Sequence, residues 1–369
     1  MTGRGERVVI AGGGTGGHLY PGIAVARELM SRRSSIRISF AGTAQGIEAR
    51  VLPREGFELD VLRSGGIKGK SIGARARGAA LVPLGLLDAW RIVSARRPHL
   101  VIGVGGYSSG PVVLIAAVRG TPTMLLEQNA VPGLTNRLLA PFVRAAAVTF
   151  ESTKTFFGSK AFVSGNPVRP EFLEAAEPRK ESGTDDDTPG VGVLVFGGSQ
   201  GAHAINVAMA EAAAKLATGA PTLRLTHQTG ERDLEMVRAA YRAAGLAAEV
   251  EPFLHDIGRR VRQAEVIVSR AGATTLAEIT AAGKAAILIP LPTATDDHQR
   301  RNAEALASAG AAEMLMQADA TGDELANRIL TLAADRGRRL RMARAARGMA
   351  KPDAAKVIAD RALTLMGIS

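Results

Sequence analysis

The chain has 369 residues, of which 46% are apolar and 22% are charged, a length and composition that predict a globular protein with two domains. It contains no cysteine, which excludes a disulfide framework, a thiolate zinc site and a cysteine nucleophile. The formal net charge is +11, but aromatic residues make up only 4% of the sequence, so the positive charge is not interleaved with rings that stack on nucleic-acid bases.

The first half of the chain alternates short apolar strands with glycine-rich loops and helices. The polar N-terminus runs directly into a predicted strand at residues 7–11, without the apolar region of a signal peptide. The longest apolar stretch, residues 79–90, is interrupted and shorter than the roughly 20 residues that span a bilayer. The other predicted elements are a helix at 21–31 and strands at 36–40, 100–104 and 123–126. Alternating strands and helices predict a parallel sheet that is covered on both faces.

The same pattern starts again after residue 190. Residues 174–190 are polar, include Pro and Gly and lack apolar periodicity, which predicts an exposed loop. Beyond this loop the predicted elements are strands at 192–196, 223–226, 248–252, 266–269 and 286–290, a helix at 205–217 and a helical tail at 323–366. The sequence therefore predicts an α/β fold of two Rossmann-like domains. The predicted boundaries are 1–168 and 169–345, followed by a C-terminal helix at 346–369 that packs back on the N-terminal domain.

The first glycine-rich loop has the pattern Gly12-x-Gly14-x-x-Gly17 between a strand and a helix. Glycines at such positions let a ligand approach the backbone, and the helix start offers N–H groups to an anion. A dinucleotide site also needs an acid at the end of the second strand, and residues 37–41 contain none. Arg37 leaves an NADP-binding oxidoreductase open as an alternative. A P-loop is excluded because no Gly-Lys-Ser/Thr follows.

Two loops of the second half are candidates for binding a diphosphate. Residues 197–202, Gly-Gly-Ser-Gln-Gly-Ala, lie between a predicted strand and a predicted helix. In residues 269–279, Thr274 and Thr275 open a helix that carries Glu278 one turn further in, within reach of a ribose diol. An ordinary capped helix is an equally good interpretation of this second segment.

No metal site is predicted. Asp296, Asp297 and His298 are adjacent in the chain and do not converge easily on one ion, so capping of a helix by the acids is the preferred interpretation. The three aspartates at residues 185–187 lie in the polar loop and are interpreted as solvated charge.

A basic and apolar segment lies between Arg63 and Arg97. It contains eight cations and one acid, Asp88. The cations are Arg63, Lys68, Lys70, Arg75, Arg77, Arg91, Arg96 and Arg97. Leucines, isoleucines and Trp90 are mixed with them, a combination that suits docking on an anionic lipid surface. A solvated face and a nucleic-acid site are the alternative interpretations.

Eight segments, taken in chain order, resemble one known family. They are residues 12–18, 105–111, 127–136, 165–169, 197–202, 227–230, 269–279 and 297–299, and they cover essentially the whole chain. The family is the bacterial peptidoglycan glycosyltransferases that add N-acetylglucosamine to lipid I. The resemblance implies the GT-B fold, two facing Rossmann-like domains with the active site in the cleft between them. It also implies an inverting enzyme, without cofactor or metal, that moves N-acetylglucosamine from UDP-N-acetylglucosamine to the muramoyl 4-hydroxyl and forms lipid II.

The resemblance implies roles for individual donor-site residues. Leu254 would meet the uracil through its backbone, Glu278 would bind the ribose and Arg169 would add a cation near the phosphates. The other implied donor residues are Ser199, Ala273, Thr274, Thr275, Leu276 and Ala277 near the diphosphate, Asn129 and Gln299 at the sugar hydroxyls, and Thr15, Gly16 and Gly17 from the N-terminal side. His298 stands where some members carry a second glutamine.

On the acceptor side the resemblance implies a second set of residues. They are Gly13, Gly14, Gly105, Gly106, Tyr107 and Ser108. The muramoyl hydroxyl needs a general base, for which His18 is the first candidate because imidazole titrates near working pH, and Glu127 is the second. The alternative roles for His18 are to order the loop or to contact the acceptor diphosphate. The helix start at Thr274 and Thr275 would stabilise the departing UDP.

The polyprenyl tail of such an acceptor stays in the membrane and would explain the basic, apolar segment. The expected location is the cytoplasmic side of the inner membrane, with the protein bound peripherally. The expected partners are UDP-N-acetylglucosamine, lipid I, an anionic membrane surface and proteins of cell-wall synthesis and division, but no nucleic acid. The alternatives are a UDP-N-acetylglucosamine 2-epimerase, a transferase with another acceptor and a non-catalytic nucleotide-sugar sensor.

Overall fold

The structure, a computed structural model, describes residues 5–64, 72–174, 190–198 and 200–368, with the backbone alone for residues 72–80 and 174. The predicted polar loop lies almost wholly outside these residues, as do Lys68, Lys70 and Ser199. The chain forms two compact units, Met1–Val168 with Lys351–Ser369 and Arg169–Ala350.

The first unit contains a parallel sheet of seven strands. The strands are β1 (Arg7–Gly12), β2 (Arg37–Gly42), β3 (Glu58–Val61), β4 (Leu100–Gly105), β5 (Thr123–Glu127), β6 (Ala145–Val148) and β7 (Ala161–Val163). The helices are α1 (Gly16–Arg32), α2 (Glu48–Val51), α3 (Ile72–Arg96), α4 (Ser109–Val118), α5 (Leu134–Leu139) and α6 (Glu151–Phe157). The strand order is β3-β2-β1-β4-β5-β6-β7, so the order reverses between β1 and β4. In sheets of this kind ligands bind outside the carboxyl ends of the strands at the reversal.

Both faces of the first sheet are buried. Ile10 packs in one apolar cluster with Leu19 of α1, whereas its neighbour Val9 packs in another with Val93 of α3. Successive residues of a strand point to opposite faces, so β1 needs apolar residues at every position. This is why residues 7–11 form a continuous apolar run after Arg7.

The second unit contains a parallel sheet of six strands in the order β10-β9-β8-β11-β12-β13. The strands are β8 (Gly192–Phe196), β9 (Arg224–Gln228), β10 (Ala248–Glu251), β11 (Val266–Ser269), β12 (Ala285–Leu288) and β13 (Ala312–Met314). The helices are α7 (Pro170–Glu174), α8 (His203–Gly219), α9 (Leu234–Ala243), α10 (Ile257–Gln263), α11 (Ala273–Ala282), α12 (His298–Ser308), α13 (Gly322–Ala334) and α14 (Arg336–Met349). The predicted fold class, two parallel α/β domains of the Rossmann type, is confirmed.

The last helix, α15 (Ala354–Leu365), belongs to the first unit. Its buried residues Ile358, Ala359 and Ala362 join the apolar cluster that contains Leu19 of α1. Arg32 of α1 also forms an ion pair with Asp360 of α15. The C-terminal helix thus covers the same sheet face as α1.

Two predicted helices differ from those observed. Helix α1 begins at Gly16, not at residue 21, and includes Pro21, which lacks the N–H that a helix interior normally uses. The tail predicted as helical throughout is broken twice. At Asp335 the backbone is not helical and the carboxylate accepts the Arg338 N–H at 2.7 Å to start a new helix. The second break precedes Pro352, since a residue before proline disfavours the helical conformation.

Candidate active site

The glycine-rich loops after β1 and β4 lie side by side at the carboxyl edge of the first sheet. The two strands are neighbours, and Gly12 pairs with Gly105 where they end. Helix α1 then starts with Gly16 and Gly17; its cap residue Thr15 makes no side-chain capping bond and its first turn contains no acid. A helix start of this kind favours an anionic group over a cation.

His18, the first candidate for a general base, lies in the first turn of α1 against Gly105. Its Nδ1 lies 3.4 Å from the carbonyl oxygen of Gly13 and 3.4 Å from Oγ1 of Thr15. A Cβ atom on Gly105 would stand 3.1 Å from His18 Nε2, and the φ of Gly105 is +98°, so glycine is needed to make room for the ring. In the tautomer with the proton on Nδ1, directed at Gly13, Nε2 is the basic nitrogen.

Glu48 supports the same loop and was missed by the sequence analysis. Its side chain is fully buried, and Oε2 accepts the Gly14 N–H at 2.8 Å. The other oxygen, Oε1, accepts the N–H of Thr43 at 2.8 Å and its hydroxyl at 2.9 Å. An acid does therefore follow β2, but both of its carboxylate oxygens are hydrogen-bonded to the protein and support the glycine loop.

The NADP alternative loses its main support. Arg37 is the first residue of β2 and pairs with Arg7 at the amino edge of the sheet. The phosphate-binding loops lie at the opposite, carboxyl edge. Arg37 is therefore in the wrong place to hold a 2′-phosphate beside the loop after β1.

Glu127, the second candidate for a base, is buried at the end of β5. Its carboxylate accepts hydrogen bonds from the N–H groups of Asn129 and Gly133, both at 3.0 Å, and from Nδ2 of Asn136 at 2.8 Å. Burial raises the pKa of Glu127, and these donors act in the opposite direction. Asn129, expected at a sugar hydroxyl, also donates from its own side chain to Glu127 at 3.3 Å. The carboxylate thus organises the loop that follows β5.

The loop after β4 exposes one of its predicted acceptor residues and buries another. The side chain of Tyr107 is 38% exposed, whereas that of Ser108 is 4% exposed. Ser109 fixes the loop by donating its hydroxyl to the Gly106 carbonyl at 2.9 Å. A ligand at this edge can therefore reach the Tyr107 ring but not the Ser108 hydroxyl.

In the second unit, Arg169 and Glu278 form an ion pair. Nε and Nη2 of Arg169 lie 3.0 Å and 2.9 Å from the same oxygen, Oε1 of Glu278. Burial raises the pKa of Glu278 to about 7, against the attraction of Arg169, which lowers it. Nη1 of Arg169 also contacts Glu171 at 3.2 Å. The residue expected at the phosphates is thus already bound to the residue expected at the ribose.

Helix α11 begins at the carboxyl edge of the second sheet. It starts at Ala273, follows the cap residue Gly272 and contains no acid in its first turn. Ala273, Thr274, Thr275 and Ala277 are partly exposed, but the side chain of Leu276 is buried in the core. Leu276 can therefore serve a ligand only through its backbone.

Polar groups of Leu254 and Gln299 are hydrogen-bonded within the protein. The N–H of Leu254 donates to Oε1 of Gln228 at 3.0 Å. Gln299 accepts the N–H of Leu291 at 3.1 Å through its own Oε1. Of the predicted donor residues, Ser199 lies outside the described part of the chain.

The predicted capping role of the acids before α12 is wrong for Asp297. This residue occupies the cap position of α12 but makes no side-chain capping bond, because its φ is +55° and its carboxylate pairs with Arg300 at 3.5 Å. Asp296 before it has φ +57°. Within the described residues no group of three or more His, Cys, Asp or Glu side chains could hold a metal ion.

The basic segment is less charged than its sequence suggests. Arg63 forms a bidentate pair with Asp88, at 2.8 Å and 2.7 Å, and Arg96 pairs with Asp60 and Glu58 of the neighbouring strand β3. Four exposed residues of α3, Leu84, Leu87, Trp90 and Arg91, are called the α3 face from here on. Val82, Pro83 and Ala95 of the same helix are exposed as well. Arg119 lies over the Trp90 ring at 4.6 Å.

Comparisons with known proteins agree with the predicted family. The chain matches the glycosyltransferase family 28 N-terminal domain over residues 8–148 and the C-terminal domain of that family over residues 192–358. A relative from Pelobacter propionicus is 46% identical over 97% of this chain and 99% of its own length. One from Geobacter sulfurreducens is 45% identical over 96% and 97%. Both are named UDP-N-acetylglucosamine–N-acetylmuramyl-(pentapeptide) pyrophosphoryl-undecaprenol N-acetylglucosamine transferase.

Solved structures extend the comparison. The crystal structure of Acinetobacter baumannii MurG is 30% identical, with a TM-score of 0.77 over 97% of this chain and 99% of the other. The UDP-GlcNAc 2-epimerase of Neisseria meningitidis, solved with UDP-GlcNAc bound, shares the fold at 16% identity, with a TM-score of 0.69 over 97% and 99%. The chain is therefore a member of glycosyltransferase family 28 and, within it, of the UDP-N-acetylglucosamine–N-acetylmuramyl-(pentapeptide) pyrophosphoryl-undecaprenol N-acetylglucosamine transferases.

Proposed function

We propose that this glycosyltransferase moves N-acetylglucosamine from UDP-N-acetylglucosamine to the 4-hydroxyl of the muramoyl sugar of lipid I, giving lipid II for peptidoglycan synthesis. The observation that carries the proposal is the similarity to named relatives over nearly the full length of the chain. In a single inverting displacement, the muramoyl oxygen bonds to C1 of the donor sugar. The bond from C1 to the diphosphate breaks, UDP leaves with the electron pair, and a base takes the hydroxyl proton.

The donor is proposed to bind at the carboxyl edge of the second sheet. The start of α11, with Thr274 and Thr275, suits the diphosphate because its backbone dipoles favour the negative charge that grows on departing UDP. Glu278 is proposed to accept ribose hydroxyls, with Arg169 lowering the pKa of its buried carboxylate and so favouring the ionised form. The remaining proposed donor contacts are Ser199, Leu254, Ala273, Leu276, Ala277 and Gln299 in the second unit and Thr15, Gly16, Gly17 and Asn129 in the first.

The acceptor is proposed to bind at the carboxyl edge of the first sheet. Its diphosphate would lie against the glycine loops of β1 and β4, residues 12–14 and 105–106, and Tyr107 offers an exposed ring beside them. His18 is proposed as the general base, since its Nδ1 is directed at the Gly13 carbonyl and Nε2 is then the basic nitrogen.

Glu127 is proposed to act through its loop and not as the base. Its two oxygens accept four hydrogen bonds, from Asn129, Gly133 and Asn136, and its side chain is 2% exposed. A carboxylate so engaged must give up several bonds before it can take a proton from a substrate. Its contribution is to place Asn129.

An in vitro transfer assay tests the proposed function. With UDP-N-acetylglucosamine and a lipid I analogue, the wild-type chain should release UDP and form a β-linked disaccharide product. UDP release should depend on the acceptor, which separates a transferase from an epimerase of the same fold. Release of UDP without acceptor, or a product of unchanged anomeric configuration, would contradict the proposal.

We also propose that the α3 face docks on an anionic membrane, so that the enzyme binds the cytoplasmic side of the inner membrane peripherally. No helix in the described residues is long and apolar enough to cross a membrane. Leu87 and Trp90 are 55% and 51% exposed, an unusual placement for large apolar side chains on one helical stripe. Because Arg63 and Arg96 are paired, apolar insertion should contribute more than charge. Proteins of cell-wall synthesis and division are proposed as partners at that surface.

Replacing the apolar residues of the α3 face should therefore weaken membrane binding. The variant Leu84→Gln/Leu87→Gln/Trp90→Gln is expected to co-sediment with anionic vesicles at least tenfold less, because full burial of even one such apolar side chain contributes roughly 1.5 to 3 kcal/mol. Leu340→Gln is the matched control, since Leu340 is an exposed leucine on α14 of the second unit. Transfer to a short-chain soluble acceptor should stay at the wild-type rate in both variants. Wild-type vesicle binding by the triple variant would contradict the membrane proposal.

A further inference from the structure

Residues 227–230, His-Gln-Thr-Gly, form the end of β9 and the turn after it, and the transfer reaction as proposed gives them no role. In the sheet β9 lies between β8 and β10. The loop after β8 contains residues 197–202, proposed to lie at the diphosphate, and the turn after β10 contains Leu254, proposed to lie at the uracil. The end of β9 therefore lies between two parts of the donor site.

One side chain of this segment joins the two neighbouring loops. Gln228 is 5% exposed. Its Nε2 donates to the carbonyl of Gly198 at 2.7 Å, and its Oε1 accepts the N–H of Leu254 at 3.0 Å. A glutamine amide has both a donor and an acceptor, so it can satisfy a buried carbonyl and a buried N–H at the same time.

The rest of the segment holds Gln228 against the glycine loop. A Cβ atom on Gly230, whose φ is +76°, would lie 2.2 Å from the carbonyl oxygen of Gln200, so the two backbones touch directly. Asn206 at the start of α8 donates to the Thr229 carbonyl at 2.8 Å. The backbone next to Gln228 is therefore held in place, and this leaves the side-chain amide little freedom to move away from either partner.

We infer that Gln228 is a positioning residue that ties the uracil-facing turn to the diphosphate-facing loop, so that base and diphosphate are bound in one fixed geometry. This inference rests on the proposed donor site. Leu254 and the loop at 197–202 would each contact a different part of the nucleotide, and Gln228 sets the spacing between them. Removing the Gln228 amide should therefore both weaken nucleotide binding and reduce the preference for uracil over cytosine.

The test uses Gln228→Met, which keeps the length but has neither donor nor acceptor, and Gln228→Asn, which keeps the amide but is too short to reach both partners. Thermal melting and circular dichroism measure how much of each variant is folded. Titration calorimetry measures the affinity for UDP and for CDP, and steady-state assays measure kcat and KM for the donor and for the lipid I analogue. Gln263→Met, at the end of α10, is the matched control for removing a glutamine amide from the same unit.

Both variants are expected to raise the KM for UDP-N-acetylglucosamine and the Kd for UDP by about 10-fold to 100-fold, with Gln228→Asn at the lower end. The ratio of CDP to UDP affinity constants should move toward one, while kcat and the acceptor KM stay within about twofold of wild type. The inference is overturned if the variants keep the wild-type donor KM and base selectivity, including the case in which they only lose folded protein. Failure of the wild-type chain to bind UDP would instead overturn the proposed donor site itself.

Discussion

Replacing His18 with alanine is expected to lower kcat for transfer by about 10²-fold to 10⁴-fold, the range in which a positioned general base contributes. The KM for UDP-N-acetylglucosamine should change little, because His18 is proposed to act on the acceptor hydroxyl and is not among the proposed donor contacts. The acidic limb of the pH profile of kcat, which a base of this kind produces, should disappear in the variant. Single-turnover measurements with enzyme in excess over the acceptor give the rate constant of the transfer step itself, free of product release.

His18→Asn separates catalysis from loop support. The Nδ2 group of asparagine can take the place of His18 Nδ1, which lies 3.4 Å from the Gly13 carbonyl, but asparagine cannot accept a proton near neutral pH. If His18 is the base, the asparagine variant should be as slow as the alanine variant. Recovery of most of the rate by asparagine would show that His18 only orders the loop.

The fold was predictable because its determinants are local. Strands β1 and β4 are apolar runs followed by glycine-rich loops, and β1 is buried on both faces, as Val9 and Ile10 show. The breaks in the helical tail were harder to predict. Asp335 resembles many surface acids in the sequence, and only its hydrogen bond to the Arg338 N–H makes it the start of a helix.

The candidate site was predicted in its loops but not in its supporting contacts. Glycines that leave a strand can be identified from sequence, since few other residues tolerate the required backbone. The bond from Gly14 to Glu48 joins residues 34 positions apart, and the pair of Arg169 with Glu278 joins residues 109 positions apart. The apolar periodicity of a sequence predicts helices and strands, but it does not predict contacts between residues so far apart. The positive charge of the basic segment was overestimated for the same reason. Two acidic partners of its cations, Glu58 and Asp60, lie outside the segment on β3.

The resemblance assigned Arg169 and Glu278 to different parts of the donor, but their contact makes them one unit. A buried carboxylate whose pKa is raised to about 7 would be half protonated at neutral pH. Arg169 is the group that holds this pKa down, through two nitrogens on one oxygen. Its main effect on donor binding is therefore predicted to be exerted through the charge of Glu278.

Arg169→Met is expected to move the pH dependence of donor binding upward. Without the cation the pKa of Glu278 rises further above about 7, so the carboxylate that accepts ribose hydroxyls forms only at higher pH. In the wild type the KM for UDP-N-acetylglucosamine should fall as pH rises through about 7. In the variant this fall should occur about one pH unit or more higher, with KM at pH 7 raised roughly fivefold or more.

Two further variants make the outcome specific. Arg169→Lys keeps a positive charge and should restore most of the wild-type profile, although lysine cannot place two nitrogens on one oxygen. Glu278→Gln removes the titrating group and should give a high KM that does not change with pH near neutrality. If Arg169 instead binds the phosphates directly, Arg169→Met will raise KM by the same factor at every pH and leave the wild-type titration in place. That result would show that the two residues act independently and that Arg169 binds the diphosphate.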